Sequence, residues 1–201
     1  MGTYRVVWVA VLALSCTQVA AGQPAEPKTY RLFVERVSST IEPDTKIGAL
    51  KQGFLCGPLG SVRFAQIRLP EHEDLGARIA DKLTISAKHL SVQHVLSDKP
   101  DKQLYVLTAS LDEMRLNLCV PGPNIGFGNR KTRGKGTIKI TWQLWHKTDG
   151  ALSLQQQSWI NISDLTGDPR KTPAPLAELL ATSAASFMDD AVATLDAKQQ
   201  N

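Results

Sequence analysis

At 201 residues the chain is long enough to bury a sizeable core and short enough to be one domain with accessory segments. A hydrophobic share of 42% with 6% aromatics fits neither a disordered polymer nor a bundle of membrane spans. The formal net charge of +4 is modest, and the export signal that opens the chain disfavours nucleic acid as a partner.

Arg5 supplies a short positive start, residues 6–14 form an apolar stretch, and Val19-Ala20-Ala21 places small residues where a signal peptidase cuts. The apolar stretch falls short of the ~20 residues a spanning helix needs. Residues 1–21 are therefore expected to be a cleaved secretory signal, and the mature protein to be periplasmic. Ala13-Leu14-Ser15-Cys16 is a near match to a bacterial lipoprotein signal, which usually has Leu where Ala13 stands. Cys16 is then either acylated, tethering the chain to the outer membrane, or discarded with the leader.

Without the leader, Cys56 and Cys119 remain. Both stand at strand ends that run into Pro/Gly loops, Leu55-Cys56-Gly57-Pro58 and Leu118-Cys119-Val120-Pro121. In an oxidising compartment two cysteines point to one disulfide, the alternative being two buried thiols that pack as small hydrophobes.

Residues 22–29, rich in Pro, Ala and Gln, read as a linker. A single domain is expected over 30–198. Residues 30–37 form a strand whose alternation is interrupted by Arg31, Glu35 and Arg36, which predicts a sheet edge. Residues 47–67 read as strand, glycine-rich turn, strand. Leu75, Ile79, Leu83 and Leu90 recur at helical spacing, with Glu71, Glu73 and Asp74 at the start and Lys82, Lys88 and His89 toward the end, as the helix dipole favours. A short strand follows at 91–96.

Residues 104–120 give the longest strand. Leu104, Val106, Met114, Leu116, Leu118 and Val120 share one parity, but Thr108, Ser110 and Asp112 share it too, which predicts a bulge or slip midway. Residues 137–162 are two alternating runs around Asp149-Gly150, a strong hairpin signal because the turn needs a positive φ that Gly adopts freely. Leu176, Leu179, Leu180, Phe187, Ala191 and Leu195 line one face of a final helix. The expected fold is α+β, a mainly antiparallel sheet with two helices packed on one face.

Motifs for chemistry are sparse. The loop 121–136 combines glycines with Arg130, Lys131, Arg133 and Lys135, but Gly128 is one residue too far from Gly134 for a phosphate-binding P-loop, and Gly136 stands where a hydroxyl residue is required. It is either a solvated connection or a site for anions or an acidic partner, with anionic lipid or cell-wall polymer as candidate ligands. His72, His89, His94 and His146 show no metal-ligand spacing, and no metal or other cofactor is expected. Glu71, Glu73 and Asp74 are accounted for as helix-start charge. Asp112 and Glu113 are neighbours in a strand and should point to opposite faces, which argues against a shared carboxylate site. Asn161-Ile162-Ser163 matches a glycosylation sequon, relevant only in a eukaryotic secretory route.

The helix 75–90, the strand 104–118, the hairpin from Ile138 through Asp149-Gly150 and the helix 176–195 together resemble the auxiliary lipoproteins of ABC-type lipid transporters and related small periplasmic lipoproteins. In those proteins an aromatic-bearing strand, an Asp-Gly turn and a second strand likewise precede a closing helix. The resemblance implies a non-enzymatic accessory role at an envelope protein or membrane-associated complex, with no catalytic residues. The segment 54–60 and its cysteine have no counterpart in that pattern. The candidate surfaces are the basic loop and the hairpin face left uncovered by the helices, where Trp145 and Trp159 are expected on the side opposite Trp142. The alternative from a different class is a secreted protein that binds a small ligand or polysaccharide, a degenerate hydrolase among them, which requires a pocket with convergent polar groups.

Overall fold

The computed structural model describes residues 29–83, 90–96, 101–122 and 131–199. The expected leader with Cys16, nearly all of the linker, Lys88, His89 and Arg130 lie outside the described residues. In chain order the elements are β1 (Tyr30–Ser39), β2 (Lys46–Gln52), β3 (Gly57–Arg63), a 3₁₀ turn (Phe64–Gln66) and α1 (His72–Lys82), followed by β4 (Leu90–Gln93), β5 (Leu104–Val120), β6 (Arg133–His146), β7 (Leu152–Thr166) and α2 (Ala174–Gln199).

Among the described residues the strands form one seven-stranded sheet built around β5. One edge of β5 carries β6 along nearly its whole length, and β6 in turn carries β7, all antiparallel. The other edge is shared. β1 runs parallel to the first half of β5, from Arg31 against Leu104 to Ser39 against Leu111, and β2 runs parallel to its last residues, from Leu50 against Leu118 to Gln52 against Val120. The sheet therefore forks, closing with β4 beside β1 at one end and with β3 beside β2 at the other. The class is α+β, as the periodicities predict, with the longest ladders antiparallel and half of the six strand pairings parallel.

Two details of the pairing depart from expectation. β1 is an interior strand rather than an edge, paired with β4 on one side and β5 on the other. Its interrupted alternation marks a register shift between Val34 and Val37, which returns Val37 to the core. Leu90, expected to end the first helix, instead opens β4, because α1 stops at Lys82 with Leu83 in extended conformation.

The predicted irregularity in β5 is a bulge between Leu111 and Glu113. Before it Tyr105, Leu107, Ala109 and Leu111 face the core; after it Met114, Leu116 and Leu118 do. The extra residue exchanges the parity, so a 17-residue strand keeps an apolar face throughout.

Both helices cover this inner face in one core. α1 contributes Leu75, Gly76 and Ile79, and α2 contributes Leu176, Leu180, Phe187 and Leu195 interspersed with buried alanines that let its backbone come close. Trp142 is wholly buried, stacks on Phe187 with ring centroids 6.5 Å apart, and donates its Nε1–H to Ser183 Oγ at 3.1 Å. Glu178 of α2 receives both Arg78 and Lys82 of α1, and these cations hold its carboxyl below the usual range, Lys82 first. Near the end of α2 the buried Tyr30 hydroxyl donates to Asp196 Oδ1 at 2.7 Å, and burial followed by Asp196 pushes its pKa up.

Candidate functional site

The surface with the most distinctive chemistry lies where β2 turns into β3. Gln52 ends the strand, residues 53–56 form the turn, and Gly57 starts the return. Three ties make this turn a fixed projection. Gly53 N–H donates to the Val120 carbonyl at 3.1 Å, Cys56 N–H donates to the Gly53 carbonyl at 3.3 Å, and Cys56 is disulfide-bonded to Cys119 near the end of β5 with Cα atoms 5.5 Å apart. Cys56 is the one non-glycine among the described residues with positive φ, at 51°. That conformation is costly for an L-residue, and the covalent link holds it. Closing a loop across a sequence separation of 63 also removes about 4 kcal/mol worth of unfolded-chain entropy at room temperature in the chain-entropy model.

At the apex Phe54 and Leu55 are 78% and 87% exposed, with Leu59 half-exposed on the same hairpin. Beside them an open cavity of about 620 Å³ is lined by Phe54, both disulfide cysteines, Lys131, Arg133 and Asp164, among others. Register explains how the cations arrive there. Lys51 of β2 and Arg133 of β6 flank Cys119 of β5 from opposite sides, and Lys135 sits one step further along the same face, opposite Asn117. Of the expected basic cluster, Lys131 and Arg133 are thus brought to the disulfide, while Lys135 stands on the adjoining sheet face.

Position within the fold matters as much as composition. The turn lies beside Val120, whereas β1 begins beside Leu104, roughly 50 Å away along β5 at the usual rise per strand residue. The Tyr30–Asp196 bond places the end of α2 at that same far end. The disulfide-clamped turn is therefore the tip distal to both ends of the domain.

The uncovered sheet face is a second surface. Trp145 and Trp159 both lie on it, opposite in parity to Trp142, but they are not brought together: Trp145 pairs with Leu152, and Trp159 pairs with Lys139. Trp145 donates its Nε1–H to Thr108 Oγ1 at 3.1 Å, which holds its indole across β5. Trp159 is 56% exposed, with Lys139 Nζ 5.4 Å from its ring centroid. Between them runs a polar ladder in which Gln143 bonds Gln155 at 3.1 Å and Thr141 donates to Asp112 at 2.6 Å.

This face corrects the reading of Asp112 and Glu113. The bulge turns both carboxylates to the same side, Asp112 toward Ser110 and Thr141, and Glu113 toward Lys139 at 3.4 Å. The rule that adjacent strand residues oppose each other holds only in a regular ladder, and the bulge suspends it. Each carboxylate has its own partner here.

Elsewhere several titratable groups are tied into the fold. Asp168, 7% exposed in the turn between β7 and α2, accepts from Arg170 Nε at 2.9 Å and Nη2 at 2.8 Å; that guanidinium holds its carboxyl below the ordinary range despite burial. Arg68 Nε donates to the Arg170 carbonyl at 3.2 Å beside it. His146 bridges Asp149 at 2.8 Å and the Lys102 carbonyl at 3.1 Å, closing the β6–β7 hairpin. Gly150 completes that turn at φ 66°. Among the described residues no group of three potential metal ligands converges, and no helix is long and apolar enough to cross a membrane.

Phe54 and Leu55 escaped the sequence reading, which took 53–60 only as a turn. The available signal was the placing of two large apolar residues inside a glycine-bounded turn, where solvent-facing chemistry is the rule.

No family model matches the chain, and no curated protein matches it. Among solved structures, a Xanthomonas campestris protein of family DUF330 is 14% identical with a TM-score of 0.46, over 89% of this chain and 93% of that one. A second, described only as an uncharacterized protein, is 10% identical with a TM-score of 0.39, over 83% of this chain and 94% of that one. Neither description names a ligand or a partner.

Proposed function

We propose that the chain is an exported, non-enzymatic accessory protein of the cell envelope that engages an envelope component, as an auxiliary subunit of a transport or assembly system, through its distal tip. The observation that carries this reading is the pairing of exposed Phe54 and Leu55 with Lys131 and Arg133 on a turn clamped by the Cys56–Cys119 disulfide. A rigid apolar projection ringed by charge is built for contact, because its desolvation needs no ordering of a loose loop. The disulfide fits an oxidising compartment, as the leader-like segment 1–21 does. A tether at Cys16 would present the tip away from the anchoring point, since the described domain begins at the opposite end.

The test is photocrosslinking in cells with a benzoylphenylalanine residue in place of Leu55, and in place of Gln156 as the control position. A discrete envelope adduct from position 55 and none from 156 supports the reading. Equal labelling at both, or none at 55, overturns it.

The second reading, a polysaccharide-binding protein, draws on the uncovered face, where Trp145, Trp159 and the Gln143–Gln155 ladder offer indoles and neutral amides. It predicts retention on a polysaccharide matrix that is lost in the double variant Trp145→Ala, Trp159→Ala.

A further inference from the structure

We infer that the envelope component met by the tip is an anionic lipid surface, into which Phe54 and Leu55 insert while the surrounding cations hold the headgroups. This deepens the accessory reading and rests on it. Phe54 and Leu55 form the foremost part of the hairpin, Lys51, Lys131 and Arg133 stand behind them around Cys119, and Lys135 follows one step further along the sheet opposite Asn117. That is the arrangement a bilayer interface selects, with apolar groups reaching the acyl boundary and cations remaining at headgroup level.

Charge balance points the same way. Among the described residues lining the cavity, Asp164 is the one carboxylate, against Lys131 and Arg133 in the same lining. Lys51 and Lys135 are exposed alongside and add to the positive side. A headgroup phosphate brings the complementary charge without requiring a shaped partner. The open form of this cavity suits such a ligand, since a lipid surface is engaged by projection rather than by enclosure.

Rigidity supplies the third element. The clamp at Cys56, the Gly53–Val120 bond and the fixed position of the turn at the distal end hold the two apolar side chains forward before any contact is made. Little ordering then remains to oppose insertion.

The test is cosedimentation of the full chain carrying Cys16→Ser, so that no acyl group binds the vesicles in place of the tip, with phosphatidylcholine vesicles containing roughly 30 mol% phosphatidylglycerol. The chain is expected to sediment with these vesicles and not with pure phosphatidylcholine, and binding should fall as salt is raised. Lys131→Gln with Arg133→Gln should weaken partition about twenty-five-fold, at about fivefold for each cation. Leu55→Asp should weaken it roughly tenfold or more, and the milder Leu55→Ser, measured in parallel with circular dichroism on both, guards against a folding defect. In Leu55→Trp, added fluorescence quenched by brominated acyl chains would place the tip in the bilayer. Free inorganic phosphate should not displace the chain at concentrations matched to the lipid phosphate.

Binding that survives Leu55→Asp, or that phosphate abolishes, would overturn the inference in favour of simple anion attraction. Absence of vesicle binding would overturn it as well. If position 55 still crosslinks to an envelope protein in that case, the lipid inference fails while the accessory reading stands; if both fail, the reading fails with it.

Discussion

Strand β6 shows two surfaces one residue apart. On its inner side Ile138, Ile140, Trp142 and Leu144 are wholly buried under the helices. On its outer side Lys139, Thr141, Gln143 and Trp145 exchange hydrogen bonds and an ion pair with their cross-strand neighbours. The inner side is specified by shape, so that each residue has many neighbours and little tolerance. The outer side is specified by pairwise polar contacts, each weak, and it becomes chemically distinctive only at its distal end, where the cations collect around the disulfide. Stability and contact with other molecules are thus assigned to opposite faces of the same strands, which predicts that they can be perturbed separately.

The largest effect should come from the inner face. Trp142→Ala removes a fully buried indole, its stacking on Phe187 and its bond to Ser183, and is expected to cost about 4 kcal/mol in urea unfolding. A loss below about 1 kcal/mol would mean that the helices do not seal this face as described.

Asp168→Asn tests the joint that brings α2 onto the inner face, and about 2 kcal/mol is expected at neutral pH, because a charge-assisted, nearly buried pair with Arg170 is broken. The sign with pH follows from the lowered carboxyl. Its contribution is fully present above the unfolded-state pKa of about 3.9 and is lost as pH falls through the lower folded-state value. Unfolding curves of wild type and variant should therefore converge in acid, and a gap that persists well below that range would assign the cost to packing instead.

Trp159→Ala marks the small end of the scale. The ring is mostly exposed and touches Lys139 from one side, so the stability change should stay within about 0.5 kcal/mol. A larger loss would show that the outer face shares in holding the sheet together and would blur the contrast between the two sides.

The legibility of these features in the sequence varied for physical reasons. The hairpin of β6 and β7 was readable because Ile138, Ile140, Trp142 and Leu144 alternate cleanly and Asp149-Gly150 sits between the two runs. The bulge in β5 was readable as a break in parity, but its consequence for Asp112 and Glu113 was not, because only the partner strand fixes which residue is displaced. The basic residues were visible as a cluster, yet their gathering at Cys119 depends on register across β2, β5 and β6. Phe54 and Leu55 looked like turn filling, since apolar residues are read by default as core.

By itself, then, the chain determined the local elements that periodicity encodes: alternating strands, an amphipathic first helix, an alanine-rich last helix and the two cysteines available for a bond. Tertiary structure decided that β1 lies inside the sheet, that β1 and β2 share one edge of β5, and that the clamped turn stands at the end opposite both ends of the domain. Those outcomes depend on pairing between residues far apart in sequence. A strand's periodicity records which of its sides is buried, but it carries no information about which strand lies next to it or in which direction that neighbour runs.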